Sequence, residues 1–211
     1  MLPRITLLLL ISLLPGCALL FPVEAGDDLA DFHRIAPTQS SPAPNLTLYD
    51  LDGNPVRLYD RLGGQPVVLR LGSHSCPVYR YRRFSMADLE RQYSDRVRFL
   101  IVYTQEAHPA GSNSPYRDGE WLTMINRVTG TRVAQTETLD QRIAQARSSS
   151  ELLDLNAEIL VDDVDNTFWE AFGRAPSPGF VIDRQRIIVL RQPWVEPDGI
   201  RDALEDLLNM P

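Results

Sequence analysis

A short apolar run, Val67-Val68-Leu69-Arg70-Leu71, passes without a break into Gly72-Ser73-His74-Ser75-Cys76-Pro77, and few architectures accommodate that succession. Such a run suits a central parallel strand covered on both faces. Proline is tolerated in the first turn of a helix, where its missing N–H would be unpaired anyway. The segment therefore predicts a strand, a tight loop carrying Cys76, and a helix opening near Pro77, with Phe84, Met86, Leu89 and Tyr93 as its inward stripe. Val97 to Tyr103 reads as the next strand. A right-handed strand-helix-strand crossover leaves its loops outside the carboxyl ends of the strands, so Cys76, Glu106 and His108 are expected at one edge.

The remaining chain repeats this alternation. Asn45 to Tyr49 and Pro55 to Leu58 alternate about the turn Asp50-Leu51-Asp52-Gly53-Asn54, which predicts a hairpin. That turn lacks the ligand ladder and terminal Glu of a calcium loop, and no metal site is expected. Pro109 to Gly119 is a surface loop rich in Gly, Ser, Pro and Asn. Helices are expected over Leu139 to Leu153, Val164 to Phe172 and Pro197 to Leu208, with strands over Glu158 to Val161, Phe180 to Asp183 and Arg186 to Leu190. The order predicts an α/β, thioredoxin-like fold: a central mixed sheet, flanking helices and an N-terminal β-hairpin.

Residues 1–17 read as a lipoprotein-type signal: Arg4, an apolar run from Ile5 to Leu14, then Leu14-Pro15-Gly16-Cys17. Cleavage before Cys17 would leave its thiol for a lipid; the other readings are ordinary secretion or an uncleaved anchor from Ile5 to Phe21. Ala18 in place of Asp after the Cys matches outer-membrane sorting. Residues 18–44 are expected to form a tether and 45–211 one folded domain. This places the protein in the bacterial cell envelope, membrane-tethered on the extracytoplasmic side. The net charge of -7 gives no support to a nucleic-acid-binding surface, and all 21 basic residues are Arg, which excludes a Lys nucleophile.

With Cys17 lipidated, Cys76 is the one free thiol of the mature chain. Its place before a helix offers unpaired N–H groups and the positive end of the helix dipole, both favouring thiolate. The alternative is a small residue packed at a strand end. Tyr79 occupies the position of a second cysteine in a two-cysteine redox motif, so resolution must come from an external thiol. Glu106 and His108 can orient and move a proton, or equally be a loop acid and a cap before Pro109. Trp169 and Trp194 read as packing residues, and Asp162 with Asp163 as either edge acids or a solvated turn.

The segments Leu71-Gly-Ser-His-Ser-Cys-Pro and Phe-Leu-Ile-Val-Tyr-Thr-Gln-Glu-Ala-His-Pro, in that order, resemble the iodothyronine deiodinase family. The resemblance runs from about Pro66 to Leu208. It implies that Cys76 stands at the family's selenocysteine, with Ser73 and Ser75 at the polar residues before it. Tyr103, Glu106 and His108 then stand at the hydrogen-bonding and proton-transfer residues. Asp118-Gly119-Glu120-Trp121 matches the family's Asp-Gly-Trp element with one insertion. Departures are the cysteine itself, His74, Gln105, a longer loop before Trp121, Thr136 where a His is expected and Pro178 where an Arg is expected. His74, Trp121 and Pro178 are candidate substrate walls, and Pro178 reads either as a cis proline facing the thiol or as a turn proline.

These features imply a deiodinase-like thiol oxidoreductase, with reductive dehalogenation of iodinated aromatics as its narrowest form. It would bind no cofactor and take a small-molecule electrophile or thiol substrate plus an external thiol reductant; homodimer formation is compatible with it. The alternatives are a peroxiredoxin-like thiol peroxidase, for which no clear Arg partner of Cys76 is found, and a non-catalytic envelope binding protein.

Overall fold

The structure, a computed structural model, describes residues 28–209; Cys17 and the export segment lie outside the described residues. Seven strands form one mixed sheet in the order β2-β1-β5-β4-β3-β6-β7. They are β1 (Thr47–Tyr49), β2 (Pro55–Arg57), β3 (Val67–Gly72), β4 (Arg98–Tyr103), β5 (Glu158–Val161), β6 (Gly179–Ile182) and β7 (Ile188–Gln192). The helices are α1 (Asp28–Ile35), α2 (Pro77–Tyr93), α3 (Met124–Thr129), α4 (Leu139–Leu153), α5 (Thr167–Ala171) and α6 (Pro197–Asn209). The thioredoxin-like fold expected from the sequence is therefore present, with β1 and β2 paired as the predicted hairpin.

Strands β3, β4 and β5 run parallel, while β6 pairs antiparallel to β3. All six residues of β3 are buried, as a strand covered on both faces requires. Val67, Leu69 and Leu71 face a core with Phe168, Phe172 and Phe180; Val68 faces the other side, with Met86 and Leu89 of α2 and Ile200 and Leu204 of α6. Register matters most for the site. Gly72 lies opposite Tyr103, so β3 and β4 end level and their two loops leave side by side.

Two expectations change. The stretch 18–44 was expected to be a tether, yet from Asp28 it is part of the folded body: Phe32 is 1% exposed, packs on Phe180, and its carbonyl accepts from Arg191 Nη2 at 3.0 Å. An apolar ring once per helix is enough to dock α1 when a sheet face is open to receive it. Phe84 was expected to face inward but is 60% exposed, and the buried stripe instead begins at Tyr79, seven residues before Met86. Gly72 explains why: a Cβ there would lie 2.3 Å from Tyr79 Cδ2, so the ring occupies the space that a side chain at 72 would fill. Among the described residues, no helix is long and apolar enough to cross a membrane.

Candidate active site

Cys76 is the N-cap of α2, extended at φ -75° and ψ 116°, with Pro77 opening the helix as expected. Burial pushes its thiol up to about 11, against the opposing pull of the Tyr79 and Val78 backbone N–H groups and the Arg80 charge. The expected enrichment in thiolate is thus corrected. The helix start supplies the anticipated donors, but the sulfur is 1% exposed among Tyr79, Tyr103 and Ala107, where an anion loses its hydration.

The loop before Cys76 is laced to the loop after β4. Ser73 Oγ accepts from Ala107 N–H at 3.1 Å, and Ser75 Oγ accepts from His108 N–H at 2.9 Å. Both hydroxyls are engaged by backbone, which fixes the two loops relative to each other. Glu106, 1% exposed, completes the lacing: its Oε2 accepts from Ser75 N–H at 2.7 Å, and its Oε1 accepts from Gln145 Nε2 at 2.7 Å and from the Tyr103 hydroxyl. The Tyr103 oxygen in turn accepts from His74 N–H at 3.2 Å. The described bonds of Glu106 do not include His108. The sequence suggested a carboxylate orienting an imidazole; the structure has a carboxylate gripping the cysteine loop.

His108 is oriented by Trp121 instead. The rings meet edge to face, 4.4 Å between centroids at 80°. Burial holds the imidazole down to about 4, against the opposing pull of a backbone hydrogen bond at Trp121, so it is neutral at pH 7. Its Nδ1 is buried without a hydrogen-bond partner. Trp121 is itself covered by Arg117, 4.9 Å from its ring centroid.

The other singled-out residues divide. His74 is half-buried with Nδ1 3.0 Å from Ser149 Oγ, and burial lowers its imidazole. Pro178 is buried, the described peptide bonds are all trans, and its carbonyl accepts from Leu71 N–H at 3.0 Å, extending the β3 to β6 ladder beside the cysteine loop. Trp194 packs against the cluster that contains Cys76, and Trp169 donates its indole N–H to the Tyr116 hydroxyl at 3.0 Å. Asp162 caps α5, its carboxylate accepting from Phe168 and Trp169 N–H at 2.9 and 2.8 Å, while burial pushes it up to about 6. Thr136, in the place of the family's His, accepts from buried Arg142 at 3.1 Å.

Sequence reasoning passed over Arg80 and Asn126. Arg80 follows Cys76 by four residues, one helical turn, and that spacing was the available signal. Asn126 carried none, since a lone polar residue after a Gly-rich loop looks like more loop. Among the described residues no group of three His, Cys, Asp or Glu side chains is placed to hold a metal, and Cys76 is a free thiol. A cavity of about 400 Å³ opens at the far edge of the sheet, beside Glu90, Arg98 and Phe99, away from this site.

A cysteine capping a helix at the carboxyl edge of a parallel sheet, with the acid and imidazole loop beside it, defines a thiol oxidoreductase of the thioredoxin clan. Solved structures agree on the fold. The thioredoxin domain of a thiol-disulfide oxidoreductase from Bacteroides vulgatus superposes with a TM-score of 0.57 at 15% identity, covering 82% of this chain and 100% of that one. A secreted disulfide oxidoreductase from Mycobacterium tuberculosis gives 0.51 at 15%, covering 77% and 96%. The profile of the iodothyronine deiodinase family matches residues 23–207, and the chain belongs to that family. The thyroxine 5-deiodinase of Ovis aries is 34% identical over 111 residues, 50% of this chain and 38% of that protein. The type I iodothyronine deiodinase of Xenopus laevis is 26% identical over 167 residues, 77% of this chain and 61% of that protein. The chain thus spans less than two thirds of the length of these relatives.

Proposed function

We propose that this protein is a single-cysteine reductase of small electrophiles, with Cys76 as nucleophile and His108 as proton carrier, and that a halogenated aromatic is its narrowest substrate. The observation that carries the reading is the neutral, buried His108 with an unpaired Nδ1 on the loop laced to Cys76. In the dehalogenating form the sulfur takes the iodine and the thiol proton passes through His108 to the ring carbon, so that Cys–SH and Ar–I become Cys–S–I and Ar–H. An external thiol then displaces iodide to give a mixed disulfide, and a second thiol restores Cys–SH. Trp121, set edge to face with His108, is the wall against which a ring would lie, with His74 and Pro178 as its other sides. Family membership and the deiodinase relatives support the halogen; the thioredoxin-fold neighbours support thiol exchange. The leader sequence supports an envelope location with Cys17 as lipid anchor, as does the secreted neighbour from Mycobacterium tuberculosis.

A second reading draws on the burial of Cys76 and its raised pKa, which favour a binding protein with an inert thiol. One experiment separates them. Purified protein is supplied with a thiol reductant and offered iodinated phenols or a hydroperoxide, and iodide release and peroxide loss are followed. Dehalogenation abolished by Cys76→Ser and lowered about 100-fold by His108→Asn is expected. Peroxide consumption alone would move the protein to the peroxidases. No turnover and no alkylation of Cys76 would leave the binding protein.

A further inference from the structure

The amide N–H of Arg80 donates to the Cys76 carbonyl at 3.2 Å, and its side chain turns back over the cysteine loop. There Nη1 donates to the His74 carbonyl and Nη2 donates to Asn126 Oδ1 at 2.7 Å. Asn126 is 0% exposed and donates its own Nδ2 to the Ser75 carbonyl at 2.8 Å. One amide thus uses its acceptor on Arg80 and its donor on the residue preceding Cys76, which fixes both its orientation and the position of the guanidinium. The short helix α3 exists to deliver it: Thr123 caps the helix by accepting from Asn126 N–H at 3.2 Å, and Gly130 ends it in the left-handed region. Arg80 enters none of the ion pairs among the described residues, so no carboxylate partner fixes its charge elsewhere.

We propose that Arg80, moored by Asn126, is the positioning residue that sets the reactivity of Cys76, holding a half-buried positive charge against the carbonyls of the cysteine loop. The inference rests on Cys76 being the nucleophile. The same charge acts on both groups in the useful direction, lowering the thiol and keeping His108 unprotonated, and on the thiol it opposes the buried Glu106 carboxylate of the loop after β4, which pushes the other way. It also answers the search for an arginine partner: the partner comes from the nucleophile's own helix.

The test is the pH dependence of Cys76 alkylation by iodoacetamide, measured in the full chain with Cys17→Ser so that one thiol reports. A change in acidity slides the rate profile along the pH axis, whereas a change in access scales it at every pH. Arg80→Gln is expected to slide the profile upward and slow alkylation at pH 8 about tenfold, the effect of one pKa step. Arg80→Lys, which keeps the charge, is expected to recover most of the rate, and Asn126→Ala to slide the profile in the same direction by less. Arg82→Gln, on the same helix but paired with Glu196, should leave it unmoved. Thermal midpoints are taken in parallel; if Arg80→Gln fails to fold, the Lys and Asn126 variants decide. A folded Arg80→Gln protein with the parental profile, or a Lys variant as slow as Gln, would overturn the proposal. A parent whose Cys76 never alkylates would instead overturn the nucleophile assignment on which it rests.

Discussion

A carboxylate that accepts from Ser75, Tyr103 and Gln145 at once is held by the protein on both oxygens, and those bonds tie the cysteine loop, β4 and α4 together. Glutamine at 106 has the same shape but turns one oxygen into a donor, which must then face one of those three donors. Leaving a buried donor unmatched costs about 1–3 kcal/mol. Glu106→Gln is therefore expected to lower unfolding free energy in urea by that amount together with any turnover. Loss of turnover at unchanged stability would show that the carboxylate works on protons instead. His108 is the contrasting case. Its backbone is tied to Ser75 but its Nδ1 has no bond, and a residue left so at a loop edge is where chemistry can be added without dismantling anything.

At the scale of elements, the contact that decides the site is β3 against the first turn of α2. Tyr79 is 0% exposed, lies over Gly72 and under Arg70, whose guanidinium is 4.4 Å from the ring centroid. A methyl group at 72 would meet Cδ2 at 2.3 Å and Cγ at 2.9 Å, atoms at the root of a ring that has nowhere to turn. Gly72→Ala is expected to push the start of α2 away from the sheet, costing about 1–3 kcal/mol as overpacking does. Its denaturation midpoint should fall, and Cys76 should alkylate faster as its enclosure opens. An unchanged midpoint would mean that the ring is free to move.

The same elements show what a sequence can and cannot disclose. Strands β3, β4 and β5 and helices α4 and α6 announce themselves because their apolar residues repeat at the period of the element and face one core. The cysteine loop was readable from Pro77 and the strand before it. Helix α3 was not, because its inward residue is Asn126 while Met124 and Val128 are 80% and 74% exposed, the reverse of an amphipathic pattern. Helix α1 stayed hidden for a related reason, docking through Phe32 within a polar stretch. The raised pKa of Cys76 was beyond reach as well. The local sequence shows the helix start, whereas the enclosure comes from Tyr103 and Ala107, brought in by the register of β3 on β4.

For the molecule as a whole, two buried groups oppose each other in weak acid. His108 titrates near 4 in the fold against 6.5 outside it, so as pH falls through this range the unfolded chain gains its proton first and stability is lost. Asp162 titrates near 6 against 3.8, so on the same descent the folded chain gains its proton first and stability is gained. Each displacement is worth about 3 kcal/mol, and between about pH 4 and 6 they offset. Asp162→Asn should remove the gain and leave a protein that weakens relative to its parent on acidification; His108→Asn should strengthen relative to it. Unfolding free energies measured at pH 4, 5 and 6.5 test this, and curves parallel to the parent's would refute the opposition.

A sulfur kept protonated and out of contact with solvent is also a durable one. Stray oxidants and passing disulfides attack thiolates they can touch, and Cys76 at rest offers neither the charge nor the contact. On the proposed reading the enclosure is a test of admission: a substrate that lodges where Trp121 meets His108 would gain access that a casual collision does not. For the single-cysteine reductase proposed above, with Tyr79 in the place of a second cysteine, slow reaction with everything else would let the residue last from one turnover to the next.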